Sequence, residues 1–302
     1  MSGCPSHWLT IAAATLGSPG VAVPLYAIED NCADPRYPSL AGDWVVACGK
    51  KGQIDRLVHL PSGRVVKLPA PLDPRRTGAS AGTVPGTSAL VQIGGATRVV
   101  VVSEHGAQEL EGITRLPGEP VGLPATDGVH LVAALDGRVE ALVATDKVRP
   151  SWPAATIGWQ GLAMSWPWVA WVELGRDGSE DVWALEVGGA DPTPIAHGPG
   201  EQRLVVSDGP GFALVDDGDV VRWRPDAGVV DRITARTGFL SAPTASGGAI
   251  CWEQRVPEHD DIDIVCTDSL GADGPEDQLR PSRSGPWLLY RQAGRTWLAT
   301  SP

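Results

Sequence analysis

The sequence has no long apolar run and no concentration of basic residues. No stretch reaches the roughly 18–20 apolar residues of a membrane-spanning helix. No amphipathic pattern at helical period extends beyond about ten residues, which argues against a helical fold. Acidic residues number 36 against 24 Lys and Arg, so the formal charge is -12. Because nucleic acids and anionic membranes attract clustered Lys and Arg, neither is an expected partner.

Motifs of common enzymes and metal proteins are also missing. The sequence has no Gly-x-Ser-x-Gly elbow, no phosphate loop and no dinucleotide fingerprint. Its six histidines are scattered, without the spacing to one another or to Cys that zinc sites have. We therefore predict a chain without catalytic residues.

What the chain has instead is an internal repeat. Seven short apolar segments recur at intervals of roughly 37–45 residues, each between two turns. Their cores begin at positions 44, 89, 130, 168, 212, 249 and 287. A period of this length that carries strands is typical of a β-propeller, because one unit cannot bury its own apolar face. Seven hairpins containing Gly or Asp support seven blades; they lie at 49–52, 94–97, 135–137, 175–178, 216–219, 255–261 and 292–294.

We predict an all-β fold, a seven-bladed β-propeller of four-stranded antiparallel blades, with six or eight blades as the fallback. Residues 1–302 form one propeller domain, and residues 1–20 form an N-terminal extension or an edge strand around Leu9 to Ala13. The last repeat ends after its third strand, whereas the apolar segment Val21 to Ile28 has no repeat of its own. A ring must pair its first and last blades, so this segment is expected to supply the outer strand of blade seven.

The stretch from Asn31 to Cys48, NCADPRYPSLAGDWVVAC, resembles the repeat unit of bacterial TolB-like propellers. The matching positions are Pro38, Gly42 and Val45-Val46 in repeat one, Asp181-Val182-Trp183 in repeat four, and Pro243, Gly247 and Trp252 in repeat six. Cys48 replaces the usual aromatic residue, and blades two and three lack the Asp-Ile-aromatic signature. The resemblance implies a binding or scaffold role in the bacterial periplasm or at the cell surface, without naming a ligand.

Carboxylates collect in the hairpins between the second and third strands of the blades. The resemblance to known propellers implies that these hairpins share one end of the ring, which carries Asp136, Asp177, Asp216, Asp217, Asp219, Glu258, Asp260 and Asp261. This end could hold calcium through oxygen ligands or contact a basic partner, although solvated turn carboxylates are the simpler interpretation. We take Asp177, Asp217, His259, Asp260 and Asp261 as candidate binding residues, with the polar hairpin at 259–261 as the first candidate contact loop.

Tryptophan is the most abundant aromatic residue, with 12 copies against 2 Phe and 3 Tyr. Most of these fall on second or third strands, where large rings fill the space between blades. Trp152 and Trp159 fall in the connection from blade three to blade four. Exposed indoles on loops stack on sugar rings or enter a partner's pocket, so both are candidate contacts for a glycan or a protein.

Five cysteines bear on the compartment. Cys251 and Cys266 fall at opposed positions of one hairpin, within reach of a disulfide, and Cys32 and Cys48 form a second candidate pair. Two bridges would place the protein outside the cytosol. Met1-Ser2-Gly3-Cys4 resembles the end of a bacterial lipoprotein signal with Cys4 as the lipid-bearing residue; an ordinary cytoplasmic start is the alternative.

We therefore expect a non-catalytic binding or scaffold propeller that contacts another protein or a glycan at the cell envelope or surface. The main alternative is a hydrolase or lyase with carboxylates in the central channel. Asp55, Asp181 and Asp263 repeat at the start of third strands, a pattern that favours capping of the hairpin backbone. A structural subunit of a surface assembly is the third hypothesis. No cofactor is expected, apart from the calcium that the acidic end could hold.

Overall fold

A computed structural model shows a chain built almost entirely from β-strands. The described residues are 23–24, 32, 34, 36–49, 51–93, 97–110, 121–135, 138–143, 151–153, 156–175, 178–234, 243–256, 260–273 and 276–300. Within them the strands form seven separate antiparallel sheets. No helix in these ranges is long and apolar enough to cross a membrane.

Each sheet is one blade, and its strands follow one another along the chain. The first strand, β1 (Val23–Pro24), belongs to the last blade. Blade one contains β2 (Ser39–Ala41), β3 (Trp44–Cys48), β4 (Ile54–His59) and β5 (Val65–Leu72). After a 3-10 turn (Pro74–Arg76), blade two contains β6 (Thr77–Ala81), β7 (Ser88–Gln92), β8 (Arg98–Ser103) and β9 (Gly106–Leu110). Blade three contains β10 (Ala125–Thr126), β11 (His130–Leu135), β12 (Arg138–Val143) and β13 (Ser151–Pro153).

The second half of the chain repeats this plan. Blade four contains β14 (Thr156–Ser165), β15 (Trp168–Leu174), β16 (Glu180–Glu186) and β17 (Thr193–Ala196). Blade five contains β18 (Gln202–Asp208), β19 (Gly211–Asp216), β20 (Asp219–Arg224) and β21 (Gly228–Ile233). Blade six contains β22 (Thr244–Ser246), β23 (Ala249–Val256) and β24 (Asp261–Cys266). Blade seven contains β25 (Gln278–Ser284), β26 (Trp287–Gln292) and β27 (Arg295–Thr300), and β1 completes it.

The two ends of the chain meet in blade seven. β1 pairs antiparallel with β27, with Val23 opposite Leu298 and Pro24 opposite Trp297. The strand order β1-β27-β26-β25 makes β1 the outer strand of that blade. This confirms, for Val23–Pro24, the prediction that an N-terminal strand closes the ring.

Apolar side chains of neighbouring blades pack together at every seam of the ring. At the closing seam, Leu289 of blade seven packs in one cluster with Val45 of blade one. Between blades four and five, Val172 shares a cluster with Leu214. Corresponding clusters occupy the other five seams. Seven seams confirm the predicted seven-bladed propeller, since each blade buries its apolar faces only against its neighbours.

Blade six departs from the expected four strands, because its sheet has three strands among the described residues. Where an outer strand would lie, a loop makes a single bridge, from Ala272 to Ile264 of β24. A Cβ atom on Gly271 would lie 2.7 Å from the carbonyl oxygen of Ile264, so only glycine allows this approach. The segment is rich in Gly and Asp, which have low β-propensity, and its described residues form no full outer strand.

Tryptophan side chains contribute to the seams as predicted. Trp44 of β3 and Trp171 of β15 are fully buried. Trp168 of blade four meets Trp223 of blade five edge to face, with ring centroids 5.5 Å apart. Such pairs stabilise the packing beyond the area that they bury, so the abundance of tryptophan is explained largely by contacts between blades.

Candidate functional site

The end of the ring that carries the hairpins between second and third strands is termed the hairpin face. Two of its hairpins are tight turns with consecutive left-handed residues. Asp217 and Gly218 have φ values of 48° and 90°, and Ala293 and Gly294 have values of 52° and 71°. This is the backbone geometry that two-residue β-hairpins require. The loops of this face are therefore fixed by the strands that they join.

Several carboxylates of the hairpin face are paired with arginine. Arg232 contacts both Asp216 and Asp219, and its Nη1 lies 3.2 Å from Asp219 Oδ2. Nη2 of Arg255 lies 2.8 Å from Oδ1 of Asp260. Ion pairs at such exposed positions add little to stability. They offset part of the negative charge at this end of the ring, at Asp216, Asp219 and Asp260.

The other predicted residues are spread out. Asp217 occupies a tight turn, and Asp261 is buried, with no hydrogen-bond partner for its Oδ1 in the part of the chain that the structure describes. Asp177 and His259 lie outside the described residues. Within the described ranges, no group of three His, Cys, Asp or Glu side chains is placed to hold a metal ion. Calcium binding stays a prediction.

The structure corrects the placement of Trp152 and Trp159. Trp152 lies in β13, where it pairs with Val139, and Trp159 lies in β14, the first strand of blade four. Only residues 154–155 separate the two strands. The prediction of a loop was wrong for two reasons. Pro153 is tolerated because it ends an edge strand. Gly158 is accommodated because it lies within the irregular pairing of β14, between Ile157 and Leu162. A contact role for the two indoles stays a prediction.

The carboxylates at the start of third strands lie against backbone. Oδ1 of Asp181 accepts a hydrogen bond from the N–H of Gly198, at 3.4 Å. Asp55 packs so closely on the hairpin that a Cβ atom on Gly49 would lie 2.1 Å from its Oδ2. Both contacts agree with a structural role for these residues, although the backbone that Asp181 meets belongs to the connection between blades.

A bulge recurs at the same register in the first strands of blades five and seven. The pairing of β18 with β19, and of β25 with β26, shifts after the second residue of each first strand. A left-handed residue follows directly in both: Leu204 has a φ of 58° and Arg280 a φ of 59°. A non-glycine residue in this conformation costs on the order of 1–3 kcal/mol and persists only where its surroundings impose it. Bulges of this kind redirect a side chain.

Arg280 lines a depression of about 250 Å³ on the hairpin face of blade seven. The lining residues are Asp277, Leu279, Arg280, Arg291, Gln292, Ala293 and Gly294. The backbone N–H of Arg280 donates to Oε1 of Glu253, at 2.6 Å. Its guanidinium makes no hydrogen bond or ion pair with a described residue. This Arg280 depression therefore presents to solvent a cation that has no partner in the part of the chain that the structure describes.

Glu253 fixes the backbone of the Arg280 depression. It belongs to β23 of blade six and is only 4% exposed, so its hydrogen bond to Arg280 joins blades six and seven. A carboxylate that accepts a backbone N–H forms a charge-assisted, short hydrogen bond. The bulge is thus anchored from the neighbouring blade, and the direction of the Arg280 side chain follows from that anchor.

A second charged group lies where blades four and five meet. The backbone of Glu180, the first residue of β16, forms an isolated parallel β-bridge with Glu201. Nη2 of Arg203 lies 2.7 Å from Oε2 of Glu201. Burial raises the pKa of Glu180, the Arg203 guanidinium opposes this, and the Glu201 carboxylate adds to it, so that the pKa is raised overall. A carboxyl with a raised pKa beside a second carboxylate is a feature that general acids share.

Sequence reasoning did not identify Arg280 or Glu253. A signal for Arg280 exists: Gln202-Arg203-Leu204 and Gln278-Leu279-Arg280 lie at the same distance before a Gly-Pro turn. Aligning the two repeats on those turns places an arginine where the other repeat has a leucine. Glu253 has no comparable signal, because its role depends on a contact made by the next blade.

The structure contains two disulfides among the described residues, one within blade six and one at the entry to blade one. Cys251 and Cys266 face each other in β23 and β24, with Cα atoms 4.1 Å apart. Cys32 and Cys48 tie the segment that enters blade one to β3, with Cα atoms 5.1 Å apart. Disulfides persist in oxidising compartments, so the two bridges indicate a location outside a reducing cytosol. Cys4, the lipidation candidate, lies outside the described residues.

Comparisons with known proteins concern the fold. No protein-family model matches the chain, and no curated protein matches its sequence. A catalytically inactive virginiamycin B lyase from Staphylococcus aureus, solved with quinupristin, is similar over 93% of this chain and 99% of its own, at 12% identity and a TM-score of 0.58. A chain of the mitotic checkpoint complex is similar over 99% of this chain and 96% of its own, at 12% identity and a TM-score of 0.56.

TolB proteins are also among the solved structures similar to this chain. TolB from Acinetobacter baumannii is 10% identical with a TM-score of 0.45, and the similarity covers 82% of this chain and 59% of the TolB chain. The chain thus spans 59% of the length of this TolB chain. At such identities a likeness concerns the fold alone, and the fold implied by the TolB-like resemblance is the one observed.

Proposed function

We propose that the protein is a non-catalytic binding module that contacts another protein through its hairpin face, outside the cytosol. The Arg280 depression carries this proposal. Its guanidinium lies on a strained backbone and is paired with nothing among the described residues. Without a pairing among these residues, the guanidinium adds little to the stability of the fold, and strained residues cluster at ligand sites.

The rest of the hairpin face is suited to rigid recognition. Its tight turns are fixed by paired strands, and the disulfide of β23 and β24 strengthens the blade that anchors Arg280. A preorganised surface binds a partner with a smaller loss of conformational entropy. With the two disulfides, this favours a protein of the bacterial periplasm or cell surface, with Cys4 as a candidate lipid anchor. A glycan, bound through Trp152 or Trp159, is the second kind of ligand.

Site-specific photo-crosslinking in the producing cells tests this function. A photoreactive residue at Arg295, exposed at the start of β27, would sample the hairpin face. A matched residue at Pro286, exposed in the turn between β25 and β26, would sample the opposite end of the same blade. We expect one discrete protein adduct from position 295 and none from position 286. Equal labelling from both ends, or no adduct from position 295, would contradict the proposal.

One observation favours a hydrolase or lyase as the alternative. The raised pKa of Glu180, which lies beside Glu201 where blades four and five meet, is a feature that acid–base catalysts share. Because the S. aureus lyase was solved with quinupristin, that compound is a reasonable first probe. Chromatography with mass spectrometry after incubation would reveal a product. A product formed by the wild type and lost in Glu180→Gln would favour catalysis over binding.

A further inference from the structure

The two bulges of the ring provide an internal comparison for Arg280. Leu204 occupies the same register in blade five, with nearly the same φ, and its side chain is buried. There the left-handed residue adds an apolar side chain to the core. In blade seven the same backbone carries a guanidinium into the Arg280 depression. The bulge is thus a feature of the fold, whereas the arginine on it requires a separate explanation.

Several arginines of this acidic chain have a carboxylate partner, whereas Arg280 has none among the described residues. Arg98, Arg224 and Arg283 each contact a carboxylate, at 2.8, 2.8 and 2.7 Å. With 36 acidic residues in the chain, an arginine has many available partners. Arg280 pairs with none of those in the described ranges, not even with Asp277 of the same depression. Oδ1 of Asp277 instead accepts a hydrogen bond from the N–H of Ile262, at 3.1 Å.

The chemistry of the depression selects among anions. A guanidinium offers two parallel N–H donors that match a carboxylate or a phosphate. Arg291 and Asp277 line the same depression, and their charges offset each other. A carboxylate with one negative charge therefore matches the one positive charge that remains, whereas a phosphate carries nearly two. The depression is also open to solvent, which suits a chain passing across it better than a terminus that must be enclosed.

We propose that Arg280 binds the side-chain carboxylate of an Asp or Glu in an extended segment of the partner protein. The inference rests on the proposed function, because it assigns the partner's chemistry at the same face. Gln292 and the backbone of the hairpin at 293–294 line the other side of the depression, where they can contact the segment that carries the carboxylate. Glu253 is a positioning residue, since it acts by fixing the backbone of Arg280.

Selection of short random peptides displayed on phage tests the inference. Selections would use the intact protein and its variants Arg280→Gln, Arg280→Gly and Arg295→Gln. The Arg295 variant is the charge-matched control, because Arg295 is exposed on the same hairpin but does not line the depression. The Gly variant suits a left-handed backbone, so it guards against a loss of binding caused by unfolding. Enriched peptides would be synthesised with amidated C-termini and with each Asp or Glu changed to its amide.

We expect peptides with Asp or Glu to be enriched by the wild type and by Arg295→Gln. Their affinity should fall about tenfold in both Arg280 variants, and by the same factor when one peptide carboxylate becomes an amide. Peptides that bind the Arg280 variants as well as the wild type would overturn the inference and leave the binding function intact. Binding that depends on a free C-terminus would overturn the side-chain assignment. No enrichment by the wild type would overturn both the inference and the proposed function.

Discussion

Asp208 is the best position at which to test how the blades are held together. It is fully buried at the end of β18, and its Oδ2 accepts hydrogen bonds from Nε of Arg222 at 2.7 Å and from Nη2 of Arg224 at 2.8 Å. Arg222 in turn donates to the carbonyl of Gly248 in blade six, at 2.6 Å. One carboxylate therefore compensates two cations at the seam of blades five and six.

Replacing Asp208 by Ala leaves both guanidiniums without their main partner. Removing one member of a buried ion pair costs about 3–5 kcal/mol. The side chains of Arg222 and Arg224 are 16% and 17% exposed, so water compensates part of the loss. We therefore expect the lower end of the range, about 3 kcal/mol of unfolding free energy. In a domain of this size, this corresponds to a melting temperature roughly 6–12 °C lower.

Urea denaturation, followed by tryptophan fluorescence, measures this change. Asp226→Ala is the control, because Asp226 is exposed in the neighbouring turn and its loss changes the net charge equally; it should stay within about 0.5 kcal/mol of the wild type. Asp208→Asn keeps one acceptor and should fall between the two. A loss below about 1 kcal/mol for Asp208→Ala would refute the view that this carboxylate holds the seam.

Three further changes test other parts of the structure. Replacing Cys251 and Cys266 together by Ala should lower the unfolding free energy by about 3 kcal/mol, because the bridge closes a loop of 15 residues; an unchanged urea midpoint would contradict this. Glu180→Gln should stabilise the protein at neutral pH, because a raised pKa means that folding opposes the ionised form. As the pH falls through the raised pKa, Glu180 becomes protonated and the wild type recovers its stability. The difference in urea midpoint between the wild type and Glu180→Gln should therefore close towards about pH 4. A difference that stays constant with pH would contradict the burial of an ionised Glu180. If calcium binds the polar hairpin, millimolar calcium should raise the melting temperature of the wild type and not of Asp260→Ala, whereas an equal rise in both would exclude that site.

The propeller was predictable because its evidence is repeated along the chain. Each blade has a second strand that is apolar on both faces, such as Trp44–Cys48, where all five residues are buried. Seven such segments at one period allow few architectures. The closing strand was also predictable, since an apolar segment without a repeat and a repeat without an outer strand complete each other. The loop of blade six was not, because its fourth strand is lost to local Gly and Asp content, which the period does not report.

The candidate site was largely hidden from the sequence, because it depends on contacts between blades. Glu253 and Arg280 are separated by 27 residues, and no local pattern connects them. The acidic hairpins gave a misleading impression for the same reason. Asp216 is neutralised by Arg232, 16 residues later on the outer strand of its blade. Composition counts such charges, but only register and side-chain direction determine which of them remain unpaired.

The repeated fold offers its own reference for what a position contributes. At the left-handed position of blade five, burial of Leu204 recovers about 1.5–3 kcal/mol, which offsets the strain of its backbone. Arg280 has the same strain without that burial and without a pairing among the described residues. Leu204 thus shows what an apolar side chain contributes at this register when it is buried. The bulge itself is therefore a property of the fold, and the charge that blade seven places on it is what the proposed carboxylate ligand would account for.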